Sequence, residues 1–126
     1  GLRLPGYRQA PDHMVALFER YCTEHGDLEF LVDGDVRLTY RETYALARRV
    51  AASLVGKYGV ARGDRVAIAG QNSANWVIVY MGVLMAGGCA TLINGWWTGD
   101  EIAGGLALAD CSLLIADIER AGRLAG

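Results

Sequence analysis

Three short apolar runs that alternate with helical patterns constrain the fold of this chain more than any other feature. The runs cover residues 66–69, 89–93 and 112–116, and helical patterns occupy residues 74–86 and about 99–108 between them. Strands that are apolar along their whole length are typical of a parallel sheet covered on both faces, and helices commonly connect such strands. The sequence therefore predicts an α/β fold, a parallel sheet with helices on both faces.

The segment around the first of these helices carries no charge. No Asp, Glu, Lys or Arg occurs from Gln71 to Gly99, and the apolar stretch at residues 76–93 approaches the ~18–20 residues that span a bilayer. A membrane span is the alternative here, but Gly87-Gly88 interrupts the stretch and no Lys or Arg cluster flanks it. We predict a buried helix, a glycine turn and a buried strand, with no transmembrane segment.

The N-terminal part predicts an irregular lead-in at residues 1–11, followed by a helix and a β-hairpin. Asp12 is expected to cap the helix, and Gly26 offers a left-handed position at its end. The hairpin is indicated by Asp-Gly-Asp at residues 33–35, which stands between two β-prone runs.

Local capping signals predict where the other helices begin and end. The Thr-x-x-Glu spacing at residues 39–42 and again at residues 98–101 is that of a capping box. The first of these helices is expected to turn Tyr58 toward the core and to end at Gly59, and Asp117 is expected to cap a last helix.

Composition excludes several classes of function. A net charge of −2 gives no reason to expect a nucleic-acid partner. His13 and His25 do not combine with cysteines at metal-ligand spacing, so no metal site is predicted. Three cysteines lie in apolar surroundings and are interpreted as buried free thiols in a reducing compartment: Cys22, Cys89 and Cys111.

No motif in the sequence identifies a catalytic residue. The chain contains no Gly-x-Gly-x-x-Gly after a strand and no Gly-x-Ser-x-Gly elbow. The single lysine, Lys57, is followed by tyrosine and lies on the polar side of a helix, which indicates a solvated surface residue. We therefore predict no catalytic residue within these 126 residues.

Two stretches resemble the core motifs of one enzyme superfamily. Leu-Thr-Tyr-Arg-Glu at residues 38–42 resembles the first core motif of adenylate-forming, AMP-binding enzymes, which continues with leucine where this chain has Thr43. Residues 84–94 resemble the second core motif, in which a helix ending in Ala-Gly leads into a strand with a Pro-Leu-Asn ending. Thr91 stands where proline is common in that motif.

Further stretches are similar to the acyl-CoA synthetase branch, the fatty-acid–CoA ligases. Gly-Asp-Arg-Val at residues 63–66 and Asn-Ser-Ala-Asn-Trp at residues 72–76 flank the first apolar run as they do in that branch. The run at residues 94–101 resembles fatty-acid or aryl-acid CoA ligases more than peptide-synthetase adenylation domains.

The resemblance implies a two-step reaction for the parent enzyme. A carboxylic acid, fatty or aryl, attacks the α-phosphate of ATP to give acyl-AMP and pyrophosphate, with Mg²⁺ offsetting phosphate charge. The thiol of coenzyme A then displaces AMP. A cytoplasmic location is expected with this chemistry.

The resemblance also implies that the catalytic parts lie elsewhere. In the family, the phosphate loop, the adenine- and ribose-binding motifs and the C-terminal lysine follow the region that these motifs cover. We therefore expect residues 12–126 to be a truncated N-terminal subdomain of the adenylate-forming fold. Alone, this fragment is expected to be inactive and to hold no ATP, Mg²⁺ or coenzyme A.

One loop is the candidate for substrate contact. Asn94, Gly95, Trp96 and Trp97 follow an apolar strand, where α/β sheets place ligands, and a tryptophan there suits an acyl or pantetheine channel. The alternative is that Trp96 and Trp97 pack against other parts of the full-length protein.

Two further interpretations stay open beside the enzyme fragment. The chain is alternatively a non-catalytic scaffold or interaction module derived from this fold, or a nucleotide-binding sensor, although it lacks a phosphate loop. Apolar surface exposed on a partial sheet also predicts a homo-oligomer or a domain-swapped assembly.

Overall fold

A computed structural model describes residues 11–125, so the predicted lead-in at residues 1–11 falls almost entirely outside the described residues. The elements, in chain order, are α1 (Met14–Glu24), β1 (Glu29–Asp33), β2 (Val36–Thr39), α2 (Tyr40–Tyr58), β3 (Arg65–Ala69), α3 (Ala74–Met85), β4 (Cys89–Ile93), α4 (Gly99–Leu108), β5 (Leu113–Ala116) and α5 (Ile118–Ala125).

The three apolar runs form a parallel sheet in the order β4-β3-β5. Val66 of the central strand pairs with Ala90 of β4 on one side and with Leu113 of β5 on the other. Val66 and Ala67 have no exposed surface, as expected for a central strand whose two faces are both covered. The predicted parallel sheet is confirmed.

Alternate side chains of β3 pack into two separate cores. Val66 and Ile68 face a cluster that contains Leu54 of α2 and Val83 of α3. Residues on the opposite face, including Ala67, pack against α4 and its neighbours. Helices therefore cover both faces of the sheet, as predicted.

The N-terminal elements pack on the outer side of α2 and α3. Strands β1 and β2 form the predicted antiparallel hairpin, and Phe30 of β1 stacks on Tyr40 with ring centroids 4.3 Å apart. Phe18 of α1 packs beside both Phe30 and Tyr44. This aromatic cluster attaches α1 and the hairpin to the rest of the fold.

Most predicted helix caps are confirmed. Both capping boxes, at residues 39–42 and 98–101, have the two reciprocal hydrogen bonds, and Gly59 ends α2 in a left-handed conformation. The cap predicted for α1 is wrong by one residue, because the imidazole of His13, rather than Asp12, accepts the free backbone N–H of the first turn. His25 ends that helix without a left-handed glycine at Gly26.

Two predictions of burial are wrong. Tyr58 is 54% exposed, because it lies in the last turn of α2 beyond the cluster that buries Leu54. Cys89 is exposed, since it begins β4, whose only strand neighbour among the described residues is β3. Cys22 is buried and Cys111 is half-buried, and all three cysteines are free.

The uncharged segment folds as predicted, into helix α3, a glycine turn and strand β4. Every residue of α3 is at least partly buried except Asn75. Within residues 11–125, no helix combines the length and the apolar character needed to cross a bilayer.

Candidate functional site

The carboxyl ends of the three parallel strands lie at one edge of the sheet, and the loops that follow them form the candidate site. β3 continues into residues 70–73, β4 into residues 94–98 and β5 into Asp117. The chain leaves β3 for α3 on one face and leaves β4 for α4 on the other face, so the loops diverge at this edge. Open α/β sheets bind ligands at such a switch point.

The loop after β3, residues 70–73, is held at both ends by carboxylates from other elements. The backbone N–H of Gln71 donates to Oδ2 of Asp117 over 3.0 Å. At the other end, the N–H of Ala74 donates to Oδ2 of Asp33 in the hairpin, also over 3.0 Å. The side chains of Asp33 and Asp117, which are distant in the sequence, thus hold residues 70–73 in place, and this loop contains no helix or strand.

The loop after β4 contains the four predicted site residues. Oδ1 of Asn94 accepts the N–H of Trp96 over 3.0 Å, and its backbone oxygen accepts the N–H of Trp97 over 3.1 Å, which makes a compact turn. A Cβ atom on Gly95 would lie 3.2 Å from the backbone oxygen of Gly70. A larger residue would therefore have to displace one of the loops after β3 and β4 by a few tenths of an ångström, and glycine lets them approach this closely without that shift.

The two tryptophans of this loop have different surroundings. Trp96 is 82% exposed. Trp97 is half-buried and packs against the core that contains Ile102 of α4. Its ring lies so close to Gly105 that a Cβ atom there would be 2.7 Å from the ring. Trp97 therefore anchors the loop to α4, while Trp96 lies on the surface.

A buried arginine of α5 joins the loops after β4 and β5. Arg120 is 2% exposed, and its Nε donates to the backbone oxygen of Gly95 over 2.8 Å. Its Nη1 donates to Oδ2 of Asp117 over 3.1 Å and to Oε2 of Glu119 over 2.9 Å. The buried charge is thus paired and hydrogen-bonded, which burial of an ion requires.

A second arginine of α5 binds the same loop. Nη1 of Arg123 donates to the backbone oxygens of Gly95, over 3.0 Å, and Trp97, over 2.8 Å. Its Nη2 forms an ion pair with Glu119 over 2.6 Å. The loop after β4 therefore receives three hydrogen bonds from two arginines.

Asp117 is held in its charged form by these contacts. The pKa of its carboxyl lies below the usual value, mainly because the backbone N–H of Arg120 donates to it over 2.9 Å. The N–H of Gln71 and the Arg120 guanidinium lower the pKa further, against the opposing effect of burial. The predicted capping role of Asp117 is confirmed by the Arg120 N–H contact.

Two adjoining clefts open at this edge. One, of about 630 Å³, is lined by residues 70–72 and 93–96 together with Trp76 and Arg120, and we call it the strand-end cleft. The other, of about 360 Å³, lies between the ends of β3 and β5 and shares Trp76. Asn94, Gly95 and Trp96 thus line the strand-end cleft, whereas Trp97 lies outside its lining.

The chemistry that the strand-end cleft offers is binding. Its lining supplies amide, backbone and indole groups and one paired arginine, with no serine, cysteine, histidine or lysine. Among residues 11–125, no group of three or more His, Cys, Asp or Glu side chains is placed to hold a metal ion. Lys57 lies on the surface of α2, 5.2 Å from the centre of the Tyr58 ring.

The sequence did not identify Arg120 and Arg123 as residues of the site. It also did not predict the hydrogen bond between Gln71 and Asp117. Asp117 was expected only as a cap, and its second contact joins residues that are 46 positions apart. The only local signal was the Arg-Ala-Gly-Arg spacing at residues 120–123, which places both arginines on one side of a helix.

The sequence profile of the AMP-binding enzymes matches residues 18–125. A medium/long-chain-fatty-acid–CoA ligase of Mycobacterium tuberculosis is 37% identical over 101 residues, which are 80% of this chain and 17% of that protein. The 4-coumarate–CoA ligase 3 of Arabidopsis thaliana is 32% identical over 120 residues, 90% of this chain and 21% of that protein.

A solved structure agrees with these similarities. A fatty acyl-CoA synthetase of Mycobacterium tuberculosis superposes with a TM-score of 0.82 at 28% identity, over 88% of this chain and 22% of that one. The chain thus spans about a fifth of the length of the relatives it matches.

Proposed function

Because this chain belongs to the AMP-binding enzyme family, we propose that it is part of the N-terminal subdomain of an ATP-dependent acid–CoA ligase. The observation that carries the proposal is similarity to CoA ligases over four-fifths or more of the chain. The three free cysteines fit a reducing compartment, and we propose a cytoplasmic location for the parent enzyme.

The proposed reaction converts a carboxylic acid, ATP and coenzyme A to an acyl-CoA, AMP and pyrophosphate. The carboxylate oxygen attacks the α-phosphorus of ATP and pyrophosphate leaves; the coenzyme A thiol then attacks the acyl carbon and AMP leaves. Mg²⁺ would offset phosphate charge. Since the described residues provide no cluster of metal ligands, we assign Mg²⁺ binding to other parts of the parent enzyme.

The contribution of this chain is one wall of a binding cleft. Asn94, Gly95 and Trp96 line the strand-end cleft, and we propose that they face the acyl or pantetheine part of a substrate. Trp97 is half-buried against α4 and would act by holding this loop in place. Fatty and aryl acids are the substrate classes that we propose, since relatives named for each are similar to this chain.

We propose that the 126-residue chain alone neither adenylates nor thioesterifies a substrate. The strand-end cleft offers no nucleophile, acid–base group or free lysine. Carboxylate-dependent exchange of pyrophosphate into ATP by the isolated chain would contradict this statement.

The proposal is tested with the longest natural polypeptide that contains this stretch. It is assayed with ATP, Mg²⁺ and coenzyme A against medium- and long-chain fatty acids and cinnamic-type aryl acids, with acyl-CoA detected by mass spectrometry. Trp96→Ala is expected to change the preference among these acids. The control is Tyr21→Ala, since Tyr21 is also exposed but lies on α1 away from the cleft. Absence of acyl-CoA with every acid would overturn the proposal.

A second candidate function is a non-catalytic interaction module. It is favoured by a groove of about 670 Å³ beside β5, lined by Leu113 to Ala116 and by side chains of α2 and α3. The lining is mostly apolar but includes Arg49, Ser53 and Asn75. The same assay distinguishes the two, because a module would bind partners without making acyl-CoA.

A further inference from the structure

Three strand-end loops meet at one ion pair. Asp117, after β5, accepts the N–H of Gln71 from the loop after β3. It also pairs with Arg120, whose Nε donates to the oxygen of Gly95 in the loop after β4. Both walls of the strand-end cleft are thus connected through two side chains.

We propose that Asp117 and Arg120 are positioning residues that set the shape of the strand-end cleft. The expected effect on KM rests on the proposed function, whereas the hold of the two side chains on the loops does not. The pair acts on backbone atoms of Gln71 and Gly95, and so it fixes where those loops lie.

The geometry requires arginine at residue 120. The guanidinium is planar and points Nε at the Gly95 oxygen while Nη1 points at Asp117. An ammonium group is a single point charge and cannot make both contacts in the same fixed directions. Since the side chain is 3% exposed, water has little room to replace a lost contact.

Gly95 supports the same inference independently. A Cβ atom there would come within 3.2 Å of the Gly70 oxygen and 3.5 Å of Nε of Arg120. The close approach of the two loops and the arginine contact therefore meet at one residue, where a Cβ atom would crowd the Gly70 oxygen. Arg123, 26% exposed in its side chain, adds hydrogen bonds to the same loop from a more accessible position.

The structural part is tested on the 126-residue chain by NMR. The Nε–H of Arg120 is expected to exchange with solvent at least about tenfold more slowly than that of Arg20, whose Nε donates to Glu24 over 2.8 Å in an exposed ion pair. Asp117→Asn is expected to speed exchange at both the Arg120 Nε–H and the Gln71 amide. Equal exchange of the two arginines, or slow exchange unchanged in Asp117→Asn, would overturn the proposal.

The functional part is tested in the longer polypeptide that contains this chain. Arg120→Lys is expected to raise the KM for the acid or for coenzyme A roughly tenfold, because displaced loops weaken substrate placement. A structural defect alone would lower the folded fraction, and so the apparent kcat, with KM unchanged. The control is Arg37→Lys, which alters an exposed ion pair on the hairpin.

A second variant decides the matter if Arg120→Lys does not fold. Asp117→Asn removes the charge that pairs with Arg120 and is expected to raise the same KM by a smaller factor. An unchanged KM in a folded Arg120→Lys, or in Asp117→Asn when the first variant is unfolded, would overturn the positioning role. If the parent protein makes no acyl-CoA, the proposed function fails and the NMR comparison still decides the structural claim.

Discussion

The three cysteines differ in exposure and should differ in reactivity. Burial raises the pKa of the Cys22 thiol to about 11, so this residue stays protonated and shielded at neutral pH. Cys89 is exposed at the start of β4. We expect iodoacetamide at pH 7.5 to label Cys89 first and Cys22 only after denaturation, as followed by peptide mass spectrometry. Labelling of Cys22 in the folded chain at the rate of Cys89 would contradict the burial described.

The low pKa of Asp117 has a consequence for stability in acid. Because the pKa is lower in the folded chain than in the unfolded one, the charged carboxylate stabilises the fold above about pH 4. That stabilisation is lost as the pH falls through the folded pKa. The thermal midpoint of Asp117→Asn should lie below that of the wild type at pH 7 and approach it toward pH 2. If the two proteins differ in thermal midpoint by the same amount at pH 7 and pH 2, the charge of Asp117 does not stabilise the fold.

Helices α2 and α3 pack closely because α3 has a glycine at their contact. A Cβ atom on Gly82 would lie 2.5 Å from Cγ1 of Val50 and 3.1 Å from the backbone oxygen of Ala47. Gly82→Ala is therefore expected to lower the free energy of unfolding by about 1–3 kcal/mol, as measured by urea denaturation. Adding Val50→Ala removes both γ-methyl groups, including the clashing Cγ1, but leaves the Cβ of residue 50 at 2.7 Å. The relief is partial, so the double variant should lose somewhat less stability than the two single losses combined.

A glycine in α2 provides the matched control for the substitution at Gly82. Gly56 is exposed in the helix, and a Cβ atom there would meet no atom within 4 Å. Gly56→Ala should raise the free energy of unfolding by about 0.5–1 kcal/mol, because alanine restricts the unfolded chain without a clash. A loss of stability in Gly56→Ala like that in Gly82→Ala would show that the contact between α2 and α3 does not govern the result.

Elements whose determinants are local were predictable from the sequence. The capping box of Thr39 and Glu42 needs only two residues three positions apart, and it forms as expected. The start of α1 was missed by one residue because Asp12 and His13 both carry a side-chain acceptor, and the sequence does not show which one the backbone orients toward the first turn.

Only part of the candidate site could be predicted, because some of its contacts join residues that are far apart in the sequence. The position of the loop from Asn94 to Trp97 at the strand ends could be predicted, because it follows from the strand pattern, while its role as a site stays a prediction. The contact of Arg120 with Gly95 spans 25 residues and depends on how α5 packs against the strand ends. The periodicity of apolar residues along the chain carries no information on contacts between residues so far apart. The sequence therefore did not distinguish the buried Arg120 from the other arginines.

At the scale of the whole molecule, the groove beside β5 is the surface through which we predict association. Strand β5 pairs with β3 on one side, and on its other side no strand lies among residues 11–125. The groove there is lined by the strand itself and by side chains of α2 and α3, including Val50 and Ile78. Apolar surface next to an unpaired strand edge favours contact with a second chain.

We therefore predict that the 126-residue chain self-associates through this groove as its concentration rises. Two residues of α2 provide a matched test, because Tyr58 lines the groove and is 54% exposed, whereas Val55 lies outside its lining and is 52% exposed. Tyr58→Glu should weaken association, since it places a charge in apolar surface, and Val55→Glu should leave it unchanged. Sedimentation velocity from micromolar to millimolar protein measures both. A single monomeric species at every concentration, or equal effects of the two variants, would remove the groove as the contact surface.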